Sequence, residues 1–138
     1  MPRSPLTPIA RLHVAIVSKN PETLGALAEY LQGAGATTRG THQIDGAAKV
    51  SAGASAVVVF PDDFTWSAVL PALRACSRTH PDILILIVTS APQRFEALVW
   101  PEASTTPLTV PKPAWGWTIL DAIRAHLDDS SAAGGNEP

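Results

Sequence analysis

Hydrophobic and polar positions alternate along this chain in a regular order of short apolar runs and amphipathic stretches. Leu12 to Val17 is a strand-sized apolar run. Asn20-Pro21-Glu22 then has the make-up of a helix start: an Asn N-cap, Pro in the first helical position and an acid in the first turn. Leu24, Leu27, Ala28 and Leu31 recur at helical spacing, and Gly33 and Gly35 end the helix. Thr37 to Ile44 is a weak second strand, and Asp45 is placed to cap a short helix through Val50, ended near Gly53.

The middle of the chain is more apolar. Ala56 to Phe60 has no polar face, as expected of a central parallel strand, and Pro61 ends it. Thr65 to Ser77 predicts a helix turning Val69, Leu73 and Cys76 inward, with Pro71 obscuring where it starts. Ile83 to Val88 is a second fully apolar strand. Pro92 to Trp100 predicts a short helix, Leu108 to Val110 a last strand, and Trp115 to Leu127 a final helix with Leu120, Ile123 and Leu127 on one stripe. Strand followed by helix, repeated in this way, implies right-handed crossovers and a doubly wound, five-stranded parallel α/β sheet of flavodoxin-like (βα)5 architecture. Such sheets bind ligands at the carboxyl ends of their strands.

Length and composition add bounds. The chain has 138 residues, suited to one domain. The expected organisation is an extended proline-bearing arm over 1–10, the domain over 11–127, and a disordered tail or linker over 128–138. A net charge of -2 gives no bulk attraction to nucleic acid or anionic membrane. The single cysteine, Cys76, excludes an internal disulfide framework and fits a cytoplasmic setting. No apolar run approaches a membrane span, and the N-terminus lacks the apolar centre of a signal peptide. His13, His42, His80 and His126 lack ligand spacing, so no metal site is expected, and no cofactor is implied.

Four segments in order carry a resemblance. They are Val14-Ala-Ile-Val-Ser-Lys-Asn-Pro21, Val57-Val-Val-Phe-Pro-Asp-Asp63, Ile85-Leu-Ile-Val-Thr-Ser-Ala91 and Val110-Pro-Lys-Pro113. Together they resemble the strand ends of response-regulator receiver (CheY-like) domains of two-component signalling. The resemblance implies Thr89 as the hydroxyl that reaches a phosphoryl group and Lys112 as the lysine that pairs with the acceptor carboxylate. It also shows departures. The acids that hold magnesium in the family are replaced by Ser18 and Lys19, and Pro61 stands at the acceptor position. Asp62 reaches the site only by a one-residue slip, which along a strand turns a side chain to the other face. The aromatic switch residue before the Lys-Pro is replaced by Thr109 and Val110.

The expectation is therefore a degenerate receiver site at Ser18, Lys19, Pro61, Asp62, Thr89 and Lys112 with no catalytic residues. Its function is that of a pseudo-receiver acting through protein–protein contact, not as an enzyme. The alternative is a working phosphoacceptor using Asp62 with Thr89 and Lys112. An anion or nucleotide pocket from Ser18, Lys19, Thr89 and Lys112 lacks a Gly-rich phosphate loop, and an unrelated flavodoxin-like enzyme lacks a nucleophile with a nearby base. The expected partner is a protein or a second copy, engaged by the last strand and helix. Trp115 and Trp117 start that helix two positions apart and cannot both enter one stripe; Asp121 and Arg124 lie on its polar side. Lys112 is open to two other readings, a solvated loop lysine or a structural ion pair with Asp62 or Asp63.

Overall fold

In the computed structural model, residues 12–98 and 107–135 are described. Five strands, β1 (His13–Val17), β2 (Thr37–Thr41), β3 (Ala56–Val59), β4 (Leu84–Thr89) and β5 (Leu108–Pro111), form one sheet in the order β2-β1-β3-β4-β5. Every pairing is parallel. The helices are α1 (Pro21–Gly33), α2 (Ala47–Val50), α3 (Trp66–Thr79), α4 (Pro92–Glu96) and α5 (Gly116–Gly135).

The three inner strands are buried on both faces, as their unbroken apolar runs require. Val14, Ile16, Val58, Leu86 and Val88 face α1 and α5, where they meet Leu27, Leu31, Ile119 and Ile123. Ala15, Val17, Val57, Val59, Ile85 and Ile87 face the other way, toward Ile44, Val50, Leu73, Cys76 and Phe95. The period of two along each strand thus feeds two cores, one on each side of the sheet.

Local chemistry sets the ends of the elements. Asn20 Oδ1 accepts from the Glu22 and Thr23 amides at 2.8 and 3.3 Å, so α1 is capped as its sequence implies. It ends at Gly33, and Gly35 turns the chain at φ 104° into β2. β2 stops at Thr41, short of the expected Ile44. The Thr41 hydroxyl accepts from the Gln43 amide at 3.2 Å and closes a turn, after which Ile44 is buried in a 3-10 turn over Ile44–Gly46. Asp45 sits inside that turn and does not cap α2.

Further boundaries move. α3 runs from Trp66 to Thr79, with the Thr65 carbonyl accepting from the Ala68 and Val69 amides, and Pro71 lies inside it. Proline there removes one intrahelical donor, which the burial of Val69, Leu73 and Cys76 offsets. α4 ends at Glu96, and the remainder of the helix expected to Trp100 runs into residues outside those described. α5 continues to Gly135, past the expected end at Leu127. Between Leu127 and Gly134 the chain has no proline or glycine, so a polar composition does not stop the helix. The arm over 1–10 and residues 136–138 lie outside the described residues.

These packing and capping roles predict different costs. Leu73→Ala, at a fully buried site, should lose about 2–5 kcal/mol of unfolding free energy. Asn20→Ala should lose about 1 kcal/mol. Urea denaturation followed by circular dichroism measures both.

Candidate functional site

The carboxyl ends of β1, β3, β4 and β5 meet at one edge of the sheet. β3 ends at Val59, and the Phe60 amide still bonds to the Val17 carbonyl at 2.9 Å. Pro61 then begins a 3-10 turn, Pro61–Asp63, closed by the Phe64 amide on the Pro61 carbonyl. Pro61 is buried and offers no polar side-chain atom. The turn matters because strand alternation no longer governs where Asp62 points.

Asp62 points across to β4 and β5. Thr89 Oγ1 donates to its Oδ1 at 2.6 Å. The Ser90 amide donates to its Oδ2 at 2.9 Å, and Lys112 Nζ lies 3.3 Å from the same oxygen. Thr89 is itself fully buried, and its hydroxyl accepts from the Ala91 amide at 3.1 Å. β5 is joined beside it by the Lys112 amide on the Thr89 carbonyl at 3.1 Å. Burial pushes the Asp62 carboxyl up, but the hydrogen bonds from Thr89, Ser90 and Lys112 and the lysine charge together hold it below the ordinary carboxylate value. Of the readings open for Lys112, the geometry matches an ion pair with Asp62.

The first-strand positions do not join this cluster. The Ser18 side chain is buried, accepting from the Asn20 amide at 3.2 Å and reaching the Asn20 carbonyl at 3.3 Å. Its backbone is tied by the Ser18 amide on the Thr41 carbonyl, and its own carbonyl lies 3.0 Å from His42 Nδ1. Lys19 is exposed. Asp63 is exposed too and lines a different recess, of about 190 Å³, with Ser18, Phe60 and Lys112. Asp62 instead borders a recess of about 230 Å³ with Thr89, Trp66, Arg94 and Phe95. There Trp66 meets the Phe95 ring edge-on at 5.1 Å, and the Arg94 guanidinium lies 4.0 Å over the Trp66 ring.

The donor set does not fit a divalent cation. A hard cation needs several anionic oxygens with free lone pairs. Ser18 is neutral and engaged with Asn20, Lys19 is cationic, and Asp62, with three donors already on its carboxylate, is the one anionic group in the cluster. Among the described residues no group of three His, Cys, Asp or Glu side chains is arranged to hold a metal.

No family model matches the sequence, and no curated protein does. Solved structures do. A response regulator receiver domain from Clostridium thermocellum superposes with a TM-score of 0.69 at 11% identity, over 88% of this chain and 98% of that one. The chain has the receiver fold. A response regulator from Thermotoga maritima, solved in complex with Mg2+-BeF, gives 0.65 at 18% identity over 84% of this chain and 98% of that one. A pilus assembly-related protein from Burkholderia pseudomallei gives 0.67 at 16% identity, covering 88% of this chain and 93% of that one. These identities speak to architecture alone. Against the receiver frame, the position before the Lys-Pro segment holds Thr109, whose hydroxyl donates to Glu96 Oε2 at 2.9 Å and ties β5 to the end of α4.

Two site features were beyond sequence reasoning: the Ser90 amide, since a backbone donor leaves no sequence mark, and the turn that redirects Asp62. Of the residues expected at an interface, Trp115 and Trp117 are 63% and 57% exposed, so both rings lie outside the core. Asp121 is exposed and Arg124 half-buried. Trp100 lies outside the described residues.

Asp62→Asn should cost about 1–3 kcal/mol, since it removes a charged acceptor from three donors. Because the folded carboxyl titrates below its unfolded value, its contribution is present above about pH 4 and is lost as pH falls through the folded pKa. The stability gap between wild type and Asp62→Asn, measured by urea melts from pH 7 to pH 3, should shrink at the acid end.

Proposed function

We propose that this chain is a receiver-like signalling module that acts by protein–protein contact and not by aspartyl phosphorylation. One observation carries the reading. The carboxylate nearest the acceptor position, Asp62, is already satisfied by Thr89, Ser90 and Lys112, while Ser18 and Lys19 stand where metal-holding acids would be needed. Phosphoryl transfer is catalysed by positioning and by neutralising charge, chiefly with a metal ion. Without that ion, Lys112 alone supplies little of the effect, and its charge is committed to Asp62. The same pairing weighs against tight anion or nucleotide binding.

The contact surface in this reading is the start of α5 and the segment before it. Trp115 and Trp117 are large exposed aromatics, with Asp121 and Arg124 further along. An aromatic anchor with a polar rim is the usual composition of a modest protein interface. A cytoplasmic setting belongs to this reading. It is supported by the lone buried Cys76, a free thiol of the kind a reducing compartment keeps.

A second reading is favoured by one feature: Asp62 lies against both the threonine and the lysine that a phosphoacceptor uses. Incubation with acetyl phosphate and magnesium, followed by intact mass, separates the two. The proposal expects no added phosphoryl group. An adduct lost in Asp62→Asn and kept in Asp63→Asn would establish the second reading.

For the surface, Trp117→Ala should leave the melting temperature nearly unchanged, because the ring is mostly exposed. It should weaken partner binding or self-association by about 2 kcal/mol or more. Sedimentation and binding titration at matched folded fraction measure this; a destabilised variant with intact association would move the interface elsewhere.

A further inference from the structure

The strand-end cluster compensates its own charge, since Asp62 and Lys112 lie 3.3 Å apart. Arg94 does not share in that balance. It lines the recess of about 230 Å³ on the α3–α4 side of Asp62, and Lys112 does not. Among the described residues no carboxylate pairs with Arg94. Glu96, the acid next to it on α4, accepts instead from the Thr109 hydroxyl, and Asp63 lines the other recess. One positive charge is left over at this recess.

The guanidinium that carries this charge is held in place. Phe95 is buried and meets the Trp66 ring edge-on at 5.1 Å, and Arg94 lies 4.0 Å over that ring. Arg94 and Phe95 are neighbours on α4, whereas Trp66 begins α3, so the stack joins two helices. Stacking occupies the face of a guanidinium and leaves the N–H groups along its edge for an acceptor. Part of the rotamer freedom that an arginine loses on binding is thus lost before a ligand arrives.

Much of the remaining lining is apolar. Phe64, Val69 and Phe95 contribute to it beside Trp66. Val69 and Phe95 are buried and Arg94 is exposed, so the recess runs from a floor of core side chains to a cationic rim. An apolar cavity of about 150 Å³ holds one benzene ring, so a recess of about 230 Å³ has room for a ring and a carboxylate. The charge of Asp62 is directed at Thr89, Ser90 and Lys112, which weakens its repulsion of an incoming anion. A mostly apolar pocket with a few fixed polar groups is the usual form of a small-ligand site.

We propose that the α3–α4 recess binds a monocarboxylate with a flat apolar body. The carboxylate takes a bidentate pair from Arg94, and the body packs against Phe64, Val69 and the Trp66–Phe95 pair. A free aromatic acid and the C-terminal residue of a polypeptide share this chemistry. Neither the α5 surface nor phosphorylation of Asp62 has a part in this site.

Phenylacetate titrated into the fluorotryptophan-labelled full chain tests this, read by fluorine and amide NMR. The expected result is a saturable millimolar shift at Trp66 and Ser90, with Trp115 and Trp117 unmoved. Phenylacetamide has the same body without the charge and should bind at least about tenfold more weakly. At matched folded fraction, Arg94→Gln should weaken phenylacetate by a similar factor. Arg94→Lys, which keeps the charge but not the planar fork, should fall between. N-acetylphenylalanine separates the two sources: tighter binding than phenylacetate assigns the site to a chain end, weaker binding to a free acid. No saturable shift with either acid, equal affinity for the amide, or affinity unchanged in Arg94→Gln would overturn the proposal. Shifts at Thr89 and Lys112 with Trp66 unmoved would overturn it too, by placing the anion at the strand-end cluster.

Discussion

The contact between Asp62 and the Thr89–Lys112 pair is the constraint around which the strand-end region is organised. A carboxylate from the β3 turn accepts from a side-chain hydroxyl, a backbone amide and an ammonium group drawn from β4, the segment after it, and the end of β5. Each of these bonds is modest alone. Together they join three elements that the sheet and the two cores also link, and they do so with an acceptor that is charged at neutral pH. Thr89 is buried, so without this acceptor its hydroxyl proton would lose its partner inside the fold.

The chemistry of the site follows from that tie. Three donors occupy most of the acceptor capacity of the Asp62 carboxylate, Oδ2 taking two of them and Oδ1 one. The three donors that would stabilise an incoming phosphoryl group are directed at Asp62 itself. The ends of β1, which in receivers supply anionic ligands, here fold inward through the Ser18–Asn20 turn and serve the cap of α1. One short segment, Ser18 to Glu22, thus serves helix initiation. At the far side of β5, Thr109 bonded to Glu96 makes a polar tie where the family has a rotating aromatic ring.

Much of the fold was legible because its signals are local. Asn20-Pro21-Glu22 specifies a cap whatever the surroundings, and the runs Ala56–Val59 and Leu84–Thr89 are apolar on both faces because both faces are covered. Thr89 and Lys112 were legible through the receiver resemblance of the segments that carry them. The direction of the Asp62 side chain is not legible from strand alternation, because Pro61 opens a 3-10 turn in which that rule lapses. Ile119, fully buried, was missed because the expected stripe was built from Leu120, Ile123 and Leu127 alone. α5 outlasted its expected end because polar composition was read as disorder, although nothing before Gly134 interrupts a helix.

In the proposed reading, the donors of the strand-end site serve the resident carboxylate of Asp62 in preference to a phosphoryl-like ligand. Beryllofluoride with magnesium mimics an aspartyl phosphate, and amide NMR at Thr89, Ser90 and Lys112 reads the site directly. These signals should not move as both are added to millimolar excess. Saturable shifts at these residues, abolished by Asp62→Asn, would contradict it.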